Sequence, residues 1–237
     1  MTGPALPPTG RLQNHDPRNW AYPFTAAPVD TRDLPAQRRW TRNGLIFRQR
    51  RSSCVIQAGL GALTTRPFGW ALAEDQDRFE RLYGAVTAAD PFPGTWPPID
   101  SGTDATSLGN VLLARKLIVR YEHIFTGVDG ILRALQQRPV IWGTDWREGM
   151  DRPDSSGRVR ATGRSRGGHE TEIVGYDLDD QLLIVANSWG SGFGLAGYFS
   201  ISFDDADDLL HSSGDCTVLY PSSGMRAWWA RRRFAAS

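Results

Sequence analysis

The chain has 237 residues, 40% hydrophobic and 22% charged, long enough to bury a core without disulfide or metal staples. Lys+Arg 27 against Asp+Glu 26 leaves a net charge of +1, which argues against a nucleic-acid partner held by phosphate neutralisation. Two cysteines exclude a disulfide-dense scaffold and a four-thiolate zinc site, and no apolar run approaches the roughly 18–20 residues of a membrane span.

The first forty or so residues hold Pro4, Pro7, Pro8, Pro17, Pro23, Pro28 and Pro35 with little periodicity. Proline removes backbone donors and fixes φ, so residues 1–44 read as an extended arm wrapped on the surface. The segment lacks the apolar stretch of a secretory signal, and the expected place of synthesis is the cytoplasm. From Ser53 to Leu63 the chain is apolar nearly all round, as in a helix buried mid-domain, with Ser52 and Ser53 as N-caps. Phe79, Leu82 and Tyr83 predict a second helix over 73–85. Thr103 to Ala105 leads into a third, carrying Leu108, Val111, Leu112 and Leu117, and residues 129–137 make a short fourth.

After Pro139 the period changes. Runs at 140–142, 173–176, 182–185 and 198–201 predict short strands punctuated by Gly, Asp and Asn. Between the first two lies a polar loop, 147–166, rich in arginine. Helices first and strands later predict an α+β protein with a helical lobe over about 45–138 and a β lobe over about 139–222. The tail, 223–237, ends in AWWARRRFAAS and is expected to fray. Lys116 is the sole lysine, a bias that fits a GC-rich coding sequence of actinobacterial or phage origin.

Cys54 stands at the start of the buried helix, where the positive end of the helix favours a thiolate and is expected to lower its pKa. Cys216 lies in a strand without such help and is expected to be structural. Gly167 and Gly168 let another backbone approach His169. Asn187 ends a strand and can accept from one imidazole nitrogen, turning the other toward a thiol. The four histidines, His15, His123, His169 and His211, lack metal-ligand spacing, so neither metal nor cofactor is expected.

Gly168-His169, Gly175-Tyr176-Asp177 and the block Asn187-Ser188-Trp189-Gly190, with Gly194 and Gly197-Tyr198-Phe199 after it, resemble the His and Asn regions of papain-like cysteine peptidases. Ser52-Ser53-Cys54 resembles that family's nucleophile segment, and the order Cys, His, Asn agrees. The resemblance covers about residues 45 to 220 and is nearest to compact bacterial and phage members. It implies a papain-like two-lobed fold, the nucleophile helix in one lobe and an antiparallel β-barrel-like second lobe. It also implies a Cys54–His169 thiolate–imidazolium pair that hydrolyses peptide bonds through an acyl-enzyme, oriented by Asn187 with Trp189 covering the bond. The oxyanion would be held by the Cys54 N–H and an upstream glutamine.

The family pattern places that glutamine where this chain has Arg48; Gln49, one residue later, is taken for the role. Val55 replaces the usual aromatic, and Glu170 and Glu172 stand where small or apolar residues are usual. They share the face opposite His169 and, if buried, need Arg or hydrogen-bond partners. Gly102, Gly168, Trp189 and Trp146 are the expected substrate-facing residues. No long helical segment precedes the catalytic region, so no maturation step is expected. The expected partner is a polypeptide. The alternatives are a phage-type endopeptidase or amidase cutting peptidoglycan stem peptides, associated with a virion or the cell wall, and a catalytically silent papain-like module of a virion.

Overall fold

The computed structural model describes residues 8–14, 16–25, 30–70 and 75–222. Among the described residues there are five α-helices: α1 (Cys54–Thr64), α2 (Gln76–Thr87), α3 (Ala105–Ala114), α4 (Gly127–Ala134) and α5 (Phe203–Ser213). The strands are β1 (Gln37–Arg39), β2 (Ile118–His123), β3 (Val140–Arg147), β4 (Ser165–Asp177), β5 (Leu182–Ala186), β6 (Tyr198–Ser202) and β7 (Asp215–Pro221). They form one antiparallel sheet in the order β2-β7-β3-β4-β5-β6, with β1 added against β4. Ile173 of β4 opposes Val140 of β3, and two residues on Gly175 opposes Arg39. Beyond the first residue of β3, β1 of the N-terminal arm therefore contributes the next pairing along β4.

All eleven residues of α1 are buried, as a helix apolar on every side requires. Ile56, Leu60 and Leu63 are wholly enclosed, and truncating any of them to Ala would cost about 2–5 kcal/mol. Ser53 takes the cap position, but its side chain makes no capping bond; Ser52 instead donates its N–H to Asp100 Oδ1 at 2.9 Å. A second core, around Trp142, Trp146, Ile173, Tyr176 and Phe199, lies on the other side of the sheet beside α4 and α5.

The helix-then-strand division is less clean than the sequence suggests. Strand β2 falls inside the expected helical lobe and pairs with β7, while α5 falls inside the expected β lobe. The first residues expected in the second helix, 73 and 74, lie outside the described residues, as does the tail from 223; α2 itself begins at Gln76, capped by Asp75 accepting from the Arg78 N–H.

The arm departs most from expectation. It is not simply extended: Asp16 caps a 3-10 turn at Pro17–Ala21. Nor does all of it stay on the surface: Trp20 and Tyr22 are exposed, whereas Arg11 is buried. Tyr22 and Phe24 exchange backbone bonds with His123, and Trp20 stacks on Phe125 at 4.2 Å. Upstream, Pro8–Leu12 runs into the groove between the α1 end and β4. The Gly10 and Arg11 N–H groups both donate to Gly168 O at 2.9 Å, the Leu12 N–H donates to Thr103 O at 2.8 Å, and the Thr103 N–H donates to Gly10 O at 3.0 Å. Proline spacing predicts a lack of helix, but carries no information on which backbone groups will pair.

Candidate active site

Cys54 opens α1, His169 lies in β4 opposite Thr144 of β3, and Asn187 follows the last residue of β5. His169 Nε2 and Asn187 Oδ1 are 2.8 Å apart, and the Ser188 N–H donates to the same Oδ1 at 2.8 Å. The amide oxygen therefore faces the ring, which fixes Nε2 as the protonated nitrogen and leaves Nδ1 able to take a proton. Trp189 lies 4.8 Å from the His169 ring and Trp146 meets it edge-on at 4.9 Å. These indoles enclose the His–Asn bond, and removing water from a hydrogen bond strengthens it.

Gln49 is buried and Arg48 is exposed, so the glutamine side chain is the one turned inward. The Gln49 N–H donates to Ser188 O at 2.8 Å, and Ser188 Oγ donates to Gln49 Oε1. With its oxygen held, the amide presents Nε2, which donates to Pro8 O at 2.8 Å and to Arg51 O at 3.1 Å. Tyr83 accepts from the Gly102 N–H at 2.7 Å while donating to Asp100 Oδ1 at 2.9 Å, pinning the 100–103 segment to α2. The arm bonds of that segment come from Thr103 rather than Gly102. Gly102 adopts a φ of 86°, and a Cβ there would collide with the Gly10 backbone. Gly168 likewise leaves room for Arg11 O.

Trp146 does not face the groove. It is fully buried among His169, Trp189, Phe193 and Phe199, with its indole N–H donated to Asp151 Oδ1, so it supports the histidine instead of touching substrate. Cys216 is enclosed in β7.

The electrostatics of Cys54 reverse the sequence expectation. Burial raises the thiol pKa to about 12, and the Glu170 carboxylate adds to the rise; the Glu170 and Val55 N–H groups and Arg11 oppose it without prevailing. Burial also lowers His169 to about 4, only partly offset by its bond to Asn187. With the arm in the groove both groups are neutral, because a helix end cannot outweigh complete desolvation.

Glu170 and Glu172 are also fully buried. Arg42 pairs with Glu172 in the interior, its guanidinium passing where a Cβ on Gly61 would sit. Among the described residues the cation that meets Glu170 is Arg11 of the arm, at 3.7 Å. Burial holds its carboxyl well above the usual range. Pro8, Arg11, Thr103, Ser188 and Asp215 were not singled out from sequence. The short Pro/Gly-rich stretch around Arg11 has no pattern that would mark it. Among the described residues no group of three or more His, Cys, Asp or Glu could hold a metal ion.

Residues 121–218 match the profile of the papain family cysteine proteases. The match spans His169 and Asn187 but not Cys54. The described fold aligns with xylellain, a cysteine protease from Xylella fastidiosa, at a TM-score of 0.72, covering 94% of this chain and all of that one with 16% identity. The fold is papain-like. An uncharacterised peptidase C1-like protein of Acanthamoeba polyphaga mimivirus is 32% identical over 123 residues, 49% of this chain; the match spans 40% of the viral protein's length. The bromelain protease from Ananas comosus, solved in complex with the E64 inhibitor, aligns at a TM-score of 0.58 with 13% identity over 80% of this chain and all of that one. At these identities the likeness to solved structures is one of fold.

Proposed function

We propose that the protein is a cysteine peptidase that hydrolyses polypeptides through Cys54, His169, Asn187 and Gln49. The His169–Asn187 bond of 2.8 Å carries the reading, with the N–H of Glu170, the residue after the histidine, directed at Cys54. Cys54 Sγ adds to the substrate carbonyl carbon, and the developing oxyanion takes the Cys54 N–H and Gln49 Nε2. His169, having received the thiol proton, delivers it to the leaving nitrogen as the C–N bond breaks. Water, losing a proton to His169, then attacks the thioester, releasing the carboxylate product and restoring the thiol. One oxyanion donor is worth about 2.7–4 kcal/mol in such a step.

In the described arrangement the arm competes for this machinery, since Pro8 O occupies the Gln49 amide. Turnover requires Pro8–Leu12 to leave, which readmits water and lets the thiol and imidazole charge as a pair. Displacement of the arm is thus added, and the expectation of no maturation step is left as it stands.

Treatment with a peptidyl epoxide, followed by mass-spectrometric mapping, tests the reading. Labelling at Cys54, faster once the arm is loosened, is the expected result; Cys54 unlabelled in both forms ends it. The same outcome would favour the silent module, whose support is the neutral, covered thiol. Turnover on casein against purified peptidoglycan separates protein from stem-peptide substrates.

A further inference from the structure

The Arg11 side chain leaves the arm and enters a recess beside the groove. Its Nε donates to Asp215 Oδ2 at 3.0 Å, Nη2 reaches the same carboxylate, and Nη2 also donates to Ser213 O at 2.8 Å. Glu170 forms the deep wall: it is fully buried, neither carboxylate oxygen has a hydrogen-bond partner, and Oε2 faces Arg11 Nε. Gly143, opposite Glu170 on β3, provides the space, because a Cβ there would strike Arg11 and lie 2.6 Å from Glu170 Oε2. The recess thus offers two carboxylates, a carbonyl and a cleared floor, arranged for a planar group with several donors. Only 3% of the Arg11 side chain remains exposed.

A buried carboxyl without hydrogen bonds is costly to charge, and among the described residues the cation that pairs with it is Arg11 of the arm. When the arm leaves, Glu170 and the half-exposed Asp215 face an empty, water-filled recess. We infer that this recess is a substrate subsite selective for a guanidinium side chain, specified by Gly143, Glu170 and Asp215 and filled in the covered state by Arg11. The inference rests on the peptidase reading and narrows its substrates to polypeptides carrying arginine near the cleaved bond. Arginine is favoured over lysine because Asp215 and Ser213 O take separate donors of one fork.

The test uses the full chain carrying Arg11→Ala, or Arg11→Gln if the first does not fold. Peptidyl epoxides identical except for arginine, citrulline, leucine or glutamate, placed at each position in turn, are compared by their rate of modifying Cys54. Arginine should exceed its neutral isostere citrulline by about tenfold or more at one position. Adding Glu170→Gln, or Asp215→Asn should that fail to fold, should bring the two close to parity while leucine compounds still react. Equal rates for arginine and citrulline at every position would overturn the subsite and leave the peptidase reading standing. If no compound modifies Cys54, the peptidase reading fails, and titration with propylguanidinium judges the recess by itself. Binding to the Arg11 variant, absent from the unaltered chain and from the Glu170→Gln double variant, supports a guanidinium site; no binding to the Arg11 variant overturns it.

Discussion

Pro8 O accepts a hydrogen bond of 2.8 Å from Gln49 Nε2, the amide proposed to receive the oxyanion. The arm is therefore bonded to the proposed catalytic apparatus and does more than lie over it.

Loosening the arm should expose the thiol. A Cβ at Gly10 would run into the Ser52 backbone, so Gly10→Val cannot keep the observed path. Alkylation of Cys54 by iodoacetamide near pH 8 is expected to quicken by about 10²-fold or more, as a thiol of pKa about 12 yields to one nearer its ordinary value. An unchanged rate would show that the arm does not shield the sulfur.

Cys54→Ala should abolish peptide hydrolysis, a fall of about 10³-fold or more in kcat/KM, while circular dichroism stays native. In an arm-loosened background, Gln49→Ala should lower kcat by about 10²–10³-fold with a smaller change in KM, the signature of a donor used mainly in the transition state.

The covered thiol also sets a pH dependence. The folded chain keeps the Cys54 proton between the ordinary thiol value of 9 and about 12, where the unfolded chain has lost it. The native state binds more protons there, so this contribution to stability is complete below pH 9 and is lost as pH rises toward 12. In urea titrations the stability of the unaltered chain relative to Cys54→Ala should fall across that window. A constant difference would contradict a buried, neutral thiol.

Arg42→Met should destabilise the fold by about 3–5 kcal/mol, because Glu172 would remain in the interior without its cation. Arg42→Met with Glu172→Leu should recover much of the loss. Chemical denaturation of the two variants measures both effects.

The legible parts of the molecule were those where chemistry and local pattern coincide. Asn187-Ser188-Trp189-Gly190 ends an apolar strand, and the all-apolar helix begins at Cys54, so both could be placed without coordinates. A buried glutamate at 172 needs Arg or hydrogen-bond partners, and Arg42 is there. Strand β2 escaped notice because Arg120 and Glu122 interrupt its apolar period. The arm's course was illegible for a different reason: its pairing with Gly168 and Thr103 is made by backbone groups, which every residue carries alike. The Cys54 pKa moves opposite to the expectation because a helix terminus is read locally, whereas burial depends on everything packed around it.

Backbone bonds of Tyr22 and Phe24 to His123, and beyond them strand β1 paired with β4, join this cover to the sheet. A blocker held on such a leash acts at a local concentration in the millimolar range, whatever the dilution of the protein. Incoming peptides must outcompete it inside the same molecule, so their apparent KM is inflated by the closed fraction, and weak-looking affinity can conceal a well-fitted groove.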